Sequence, residues 1–156
     1  MTRDEEMYRK HSEELTRFAT GLVGPHNAPD VVTDACLRVF RSPTWKTVDN
    51  PRAYLYQSVL NESRSHHRSA LRRQVKETEA ARLAGATSSV TTMRTLDVDV
   101  LRALDRLSLR QRAVLFLTYW EDLDPGEVGR TLDISTGSVK RHLARGRAKL
   151  RELLDA

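Results

Sequence analysis

The stretch from Ile134 to Leu153, ISTGSVKRHLARGRAKLREL, carries six lysines and arginines (Lys140, Arg141, Arg145, Arg147, Lys149, Arg151) against one acid, Glu152. Val139, Leu143, Leu150 and Leu153 recur through it at helical spacing. At about 100° per residue, Leu143, Gly146 and Leu150 fall in a narrow stripe around Val139. Gly137, Ser138, Arg141, Ala144 and Arg145 fall on the opposite side, and Lys140, Arg147, Lys149 and Arg151 on the flanks. The pattern predicts a helix that packs along one edge and turns a cationic surface outward. Small residues near its start let the backbone come close to a ligand. Arg141 and Arg145, one turn apart, have the planar fork that matches guanine O6 and N7 or a phosphate.

Upstream, the chain is punctuated. Ser108 and Gln111 form a capping box that opens the apolar run RQRAVLFLTYW. Asp124, Pro125 and Glu127 supply a cap, a first-turn proline and an acid that open the short segment GEVGRTL. The four residues DIST then break the pattern before the basic helix. Long helix, short helix, tight turn and basic helix make the outline of a helix-turn-helix. On that reading Thr136, Ser138, Lys140, Arg141, Arg145 and Lys149 are the candidate DNA contacts of the recognition helix. Asp122 and Asp124 read as turn and capping acids rather than a catalytic pair. With Glu121 and Glu127 they repel phosphates from the wrong side of the domain.

The N-terminal part is helical in pattern as well. Met7, Leu15, Phe18, Leu22 and Val23 mark one face of a first helix, which GLVGPHNAPD interrupts. Val31, Val32, Ala35, Leu37, Val39 and Phe40 mark a second, with Asn27 as its expected N-cap. Asn50 before Pro51 caps a third over 51–73. Ala84–Thr95, AGATSSVTTMRT, is small, polar and aperiodic, and reads as a flexible linker. The expected division is therefore 1–83, a linker at 84–97, and 98–156, two small all-α domains.

Composition sets outer limits. The chain has 156 residues, 39% hydrophobic and 30% charged, which suits small cores, and its net charge of +5 is a modest hint of a polyanionic partner. The single cysteine, Cys36, has no partner for an internal disulfide and no metal-ligand spacing around it. The charged N-terminus, MTRDEEMYRKHSEEL, lacks an apolar signal region, and no stretch approaches the roughly 18 apolar residues of a membrane span. A soluble, cytoplasmic protein is expected. There is no phosphate-cradling glycine loop, no nucleophile elbow and no cofactor motif, so a non-enzyme without cofactor or metal is expected.

LRALDRLSLRQRAVLFLTYWEDLDPGEVGRTLDISTGSVKRHLARGRAKLRELL resembles region 4 of bacterial sigma factors of the extracytoplasmic-function group, with its L..LP..QR.V..L segment and its G.V..GTVKSRL.RAR..LR helix. DVVTDACLRVF followed by PRAYLYQSVLN resembles region 2 of the same group, where DVVQEVFLRLW-like and RAWLYRIARN-like runs stand. The two occur in the group's order and cover about four-fifths of the chain. This sequence departs from the pattern at Pro29, Thr33, Ser108 and Asp133, and by Gly129 inside the short helix.

The resemblance implies a sigma-70 family subunit. Such a subunit binds RNA polymerase core, through the clamp helices of the largest subunit and the flap of the second largest, and directs it to promoter DNA. Region 4 reads the −35 element and region 2 opens the −10 element. By resemblance, Asp30, Thr33, Asp34, Leu37 and Arg38 become the polymerase-binding face, and Trp45, Tyr54, Asn61, Arg64 and Arg68 the −10 set. Aromatics among cations are also what unstacked bases need on physical grounds. At least one of Tyr54 and Tyr56 is expected in the core. His66 and His67, adjacent on a helix, cannot share a face as chelators. An anti-sigma factor is a common companion in the group, though nothing in the sequence specifies one. Two other readings stay open. One is a helix-turn-helix regulator with an N-terminal sensing or dimerisation domain, which the region 2-like runs disfavour. The other is a helical adaptor for proteins alone, which the cationic helix disfavours.

Overall fold

A computed structural model describes residues 2–84 and 103–155, with side chains considered for 2–76 and 103–155. Among the described residues there is no strand. The helices are α1 (Arg3–Val23), α2 (Ala28–Arg41), a 3-10 turn (Trp45–Thr47), α3 (Pro51–Ala84), α4 (Leu109–Tyr119), α5 (Pro125–Leu132) and α6 (Thr136–Asp155). The linker expected at 84–97 lies almost entirely outside the described residues. The third helix runs further than its apolar pattern, to Ala84 rather than residue 73.

Helix α1 starts at Thr2, whose hydroxyl accepts from the Glu5 amide, and Asp4, Glu5 and Glu6 sit in its first turn, where the helix dipole favours acids. Asn27 precedes α2, but its side chain does not cap it; the amide donates instead to the Val23 carbonyl at 3.4 Å. The α1–α2 turn is only four residues long, and the nearest unsatisfied group to Asn27 is the carbonyl end of α1. Asn50 does cap α3, its Oδ1 accepting from the Ala53 amide at 3.1 Å. Both capping boxes form, Ser108 with Gln111 and Asp124 with Glu127.

The α5–α6 turn explains two departures from the family pattern. Asp133 takes the left-handed conformation (φ 56°, ψ 50°) that glycine usually occupies, and Asp tolerates it better than most residues. Gly129 lies where the returning chain crosses: a Cβ there would stand 2.7 Å from the Ile134 carbonyl oxygen. The glycine inside the short helix is therefore what lets the turn close.

Helices α1, α2 and α3 pack around Leu15, Phe18, Val32, Val39, Leu55, Tyr56 and Val59; α4, α5 and α6 pack around Val114, Leu117, Val128, Val139 and Leu143. The two groups are pressed together and their buried side chains form one continuous cluster. Phe18 meets Phe116 with ring centroids 5.8 Å apart, Gln57 donates to the Thr131 carbonyl at 3.2 Å, and Arg112 donates to the Leu22 carbonyl at 2.7 Å. A charged and hydrogen-bonded anchor ties α1 to α3: the Glu14 carboxylate accepts from both Nε and Nη2 of Arg52 and pairs with His11 Nδ1 at 2.7 Å. Burial alone would raise the Glu14 pKa, but the bonds from Arg52 and His11 hold it below the usual carboxylate value.

Candidate nucleic-acid and protein interfaces

Helix α6 buries Val139, Leu143 and Gly146 against the bundle, the stripe expected from its spacing. A Cβ at Gly146 would meet Leu115 Cδ1 at 3.0 Å, so the glycine sets how closely α6 lies on α4. Thr136, Lys140, Arg141 and Arg145 are exposed on the far side, and Ser138 and Lys149 are half-buried. The start of the helix is organised. Ser135 Oγ accepts from the Ser138 amide at 3.1 Å, and Arg141 donates to Ser138 Oγ at 2.9 Å. Arg141 is thus preoriented beside the helix N-terminus, where amides and arginine together favour anions. Arg145 has no hydrogen bond or ion pair among the described residues and stands free. Arg147 is engaged elsewhere: it donates to the Tyr119 hydroxyl and lies over that ring, 5.3 Å from the centroid.

Two neighbours of this face carried no readable signal in the sequence. Arg110, at the start of α4, lies close to His142 of α6, as do Arg141 and Arg145. The His142 pKa is pushed down by burial, then by Arg110, Arg145 and Arg141, so its ring is held neutral. Their convergence depends on how α4 crosses α6, which spacing within either helix does not encode.

On α2, Asp30, Thr33, Asp34, Leu37 and Arg38 are all exposed along one side. Leu37 keeps 46% of its surface in water and is the apolar residue on this otherwise polar side of α2. Arg38 is tied to Glu62 of α3 at 3.0 Å, which joins this face to the third helix.

The −10 set is only partly brought together. Asn61, Arg64 and Arg68 line one side of α3, with Arg64 donating to Asn61 at 3.3 Å. Trp45 is not with them. Its ring is 2% exposed, packs beside Phe40 and Tyr54, lies under Arg3, and donates from Nε1 to Asp4 at 2.8 Å. An indole so enclosed cannot stack an unpaired base in this conformation. Its physical role is to pin the 3-10 turn to the start of α1. Tyr54 is half-buried on the same cluster and Tyr56 is wholly buried, so one of the two tyrosines lies in the core, as expected of at least one of them.

Among the described residues no group of three or more His, Cys, Asp or Glu could hold a metal, and no helix is long and apolar enough to cross a membrane. Cys36 is buried, and burial pushes its thiol up to about 11, which makes it a packed rather than a reactive cysteine.

The described residues thus form two helical groups, one with a capped helix-turn-helix and the other with a mixed polar and apolar face on α2. Residues 7–73 match the family described as Sigma-70 region 2, and residues 97–150 match Sigma-70, region 4. The chain is 32% identical to the RNA polymerase sigma-E factor of Streptomyces coelicolor, over 97% of this chain and 86% of the other. It is 28% identical to the ECF RNA polymerase sigma factor SigE of Mycolicibacterium smegmatis, over 96% of this chain and 61% of the other. Among solved structures, it resembles CnrH in complex with the cytosolic domain of CnrY (25% identity, TM-score 0.61, 97% of this chain and 87% of that one). It also shares the fold of the sigma factor RpoE of Bartonella quintana, solved with the anti-sigma factor NepR (21% identity, TM-score 0.62, 97% and 96%). The chain belongs to the sigma-70 family, in its extracytoplasmic-function group.

Proposed function

We propose that this sigma factor binds RNA polymerase core and confers promoter specificity, reading a −35 element with α6 and opening a −10 element with α3. It is a non-catalytic subunit; the chemistry of RNA synthesis belongs to the polymerase. The observation that carries this reading is the order of two matched regions along a chain whose α6 turns Arg141 and Arg145 away from its packing stripe. Arg141 and Arg145 suit guanine edges, and Thr136, Ser138, Lys140 and Lys149 suit phosphates and sugars around them. Asn61, Arg64 and Arg68 suit the backbone and edges of a displaced single strand, and Tyr54 lies about two turns before Asn61 on the same side of α3.

The α2 face takes the clamp helices of the largest polymerase subunit. Its exposed Leu37, flanked by Asp30, Thr33, Asp34 and Arg38, has the anchor-and-rim character of a protein contact. The region 4 half takes the flap of the second-largest subunit. Because RpoE was solved with an anti-sigma factor, an inhibitory protein of that kind is proposed here too, acting in the cytoplasm. Co-purification with core polymerase tests the assignment. Leu37→Ala should lower core affinity about tenfold or more while leaving the melting temperature nearly unchanged. Unchanged core affinity in the folded variant removes α2 from the interface.

A further inference from the structure

The hydrogen bonds of the loop Ser42–Asn50 are of two kinds. Most stay local. Ser42 Oγ lies 2.9 Å from Thr44 Oγ1, the Trp45 amide donates to the Ser42 carbonyl at 3.2 Å, and Thr47 Oγ1 donates to the Thr44 carbonyl at 2.9 Å. Among the described residues two bonds tie the loop to a distant element, and both end on neighbouring residues of α1. Arg3 Nη1 donates to the Lys46 carbonyl at 3.2 Å, and Trp45 Nε1 donates to Asp4 Oδ1 at 2.8 Å. The Arg3 guanidinium also lies over the Trp45 ring, 5.5 Å from its centroid. Two successive residues of α1 thus hold the indole by its edge and by its face.

Asp4 shares the first turn of α1 with Glu5 and Glu6, and the helix dipole alone would account for three acids there. Asp4 differs from the other two in reaching across to the loop. An indole N–H can only donate, and Trp45 is too enclosed for water to replace the carboxylate. The indole in turn touches two rings. Phe40, at the end of α2, lies 5.4 Å from it between centroids, and Tyr54, at the start of α3, lies 6.2 Å from it. The place of the indole therefore sets the place of the Tyr54 ring, which keeps part of its surface in water.

We infer that Arg3 and Asp4 are positioning residues for −10 opening: they hold Trp45, and Trp45 holds the Tyr54 ring where a displaced base stacks on it. The inference rests on the proposed −10 reading of α3. Neither Arg3 nor Asp4 touches DNA, and the enclosed Trp45 carries their effect. Stacking depends on the placement of a ring, so a loop released from α1 loses affinity for the single strand without losing the fold. The contact of α2 with polymerase and the contact of α6 with the −35 element lie on other faces and are left as they were.

The test uses holoenzyme assembled from the full chain and core polymerase. Its probes are a fluorescent single strand carrying the −10 element of a promoter selected by the parent holoenzyme, and a −35 duplex. Asp4→Ala should lower single-strand affinity about tenfold and Arg3→Gln about threefold, with −35 duplex and core affinities within about twofold of the parent. Asp4→Asn keeps an acceptor for the indole and should restore the affinity. In a Tyr54→Ala background neither substitution should cost anything further. Trp120→Phe leaves Trp45 as the sole tryptophan, and its emission should shift to the red in Asp4→Ala but not in Asp4→Asn. Arg3 is exposed, so Arg3→Gln carries the test if Asp4→Ala melts the first half. Unchanged single-strand affinity in both variants, equal losses on the −35 duplex, or losses that add to that of Tyr54→Ala overturn the positioning role. A Tyr54→Ala holoenzyme that binds the single strand as well as the parent refutes instead the −10 reading on which the inference rests.

Discussion

Helices α3 and α6 are both proposed to meet DNA, and they are built in opposite ways. One packing stripe runs along helix α6, and off it Lys140, Arg141 and Arg145 are exposed while Arg147 is held by Tyr119. Helix α3 encloses Leu55, Tyr56, Val59, Leu60 and Ser63 in its first half, and from Arg64 to Lys76 no side chain is buried. Its aromatic companion, Trp45, has gone to the core. Where a helix has one role along its length, residue type and spacing locate its functional face. Where packing and binding are divided along one helix, aromatics are claimed by packing first.

Trp45 gives the widest contrast with α6. Trp45→Ala removes a buried indole, its bond to Asp4 and its contacts with Phe40 and Tyr54, and should cost about 3–5 kcal/mol of stability. A large fall in melting temperature is expected. A variant that melts normally but fails to open −10 DNA would put Trp45 back among the bases and erase the contrast.

Arg141→Ala should cost about 1–3 kcal/mol on the preferred −35 duplex, with less loss on scrambled DNA. Equal losses on both duplexes would make α6 a phosphate anchor. Next in size is the α1–α3 anchor. Glu14→Gln should cost about 1–2 kcal/mol at pH 7, moderated because Arg52 is partly exposed. The folded pKa of Glu14 is depressed, so its stabilisation is full above the unfolded value near 4.5 and is lost as pH falls through the folded one. Denaturation curves of the two proteins should therefore converge in acid; a gap that persists below pH 3 contradicts the ionic account. The smallest effect is expected at Lys149, half-buried late in α6. Lys149→Ala should weaken specific and scrambled duplexes alike and lower the salt slope by about one unit. A sequence-dependent loss would extend base reading along the helix.

Much of this was legible beforehand, for physical reasons. The caps at Ser108, Asp124 and Asn50 and the α6 stripe follow from local chemistry and periodicity, which act within a turn or two, whereas which of Tyr54 and Tyr56 is buried does not. Asn27 was misleading because capping competes with the nearby carbonyl end of α1. The enclosure of Trp45 is not readable locally, because most of its neighbours in sequence are polar while those that enclose it come from α1, α2 and α3. The partner of Arg112 is unreadable for the same reason: in sequence it is one more arginine in an apolar helix, and only the meeting of α1 with α4 brings it to the Leu22 carbonyl. Gly129 stood out as a departure from pattern, and its reason, the crossing of Ile134, appears only in three dimensions.

The most direct measurement is transcription in vitro with purified bacterial core polymerase on templates selected for binding by this chain. The account predicts initiation at one defined start on a two-element promoter, dependent on both elements, reduced about tenfold or more by Arg141→Ala and by Leu37→Ala, and absent with core alone. A folded chain that binds such DNA yet neither joins core polymerase nor changes where it starts would contradict the account and leave a DNA-binding regulator in its place.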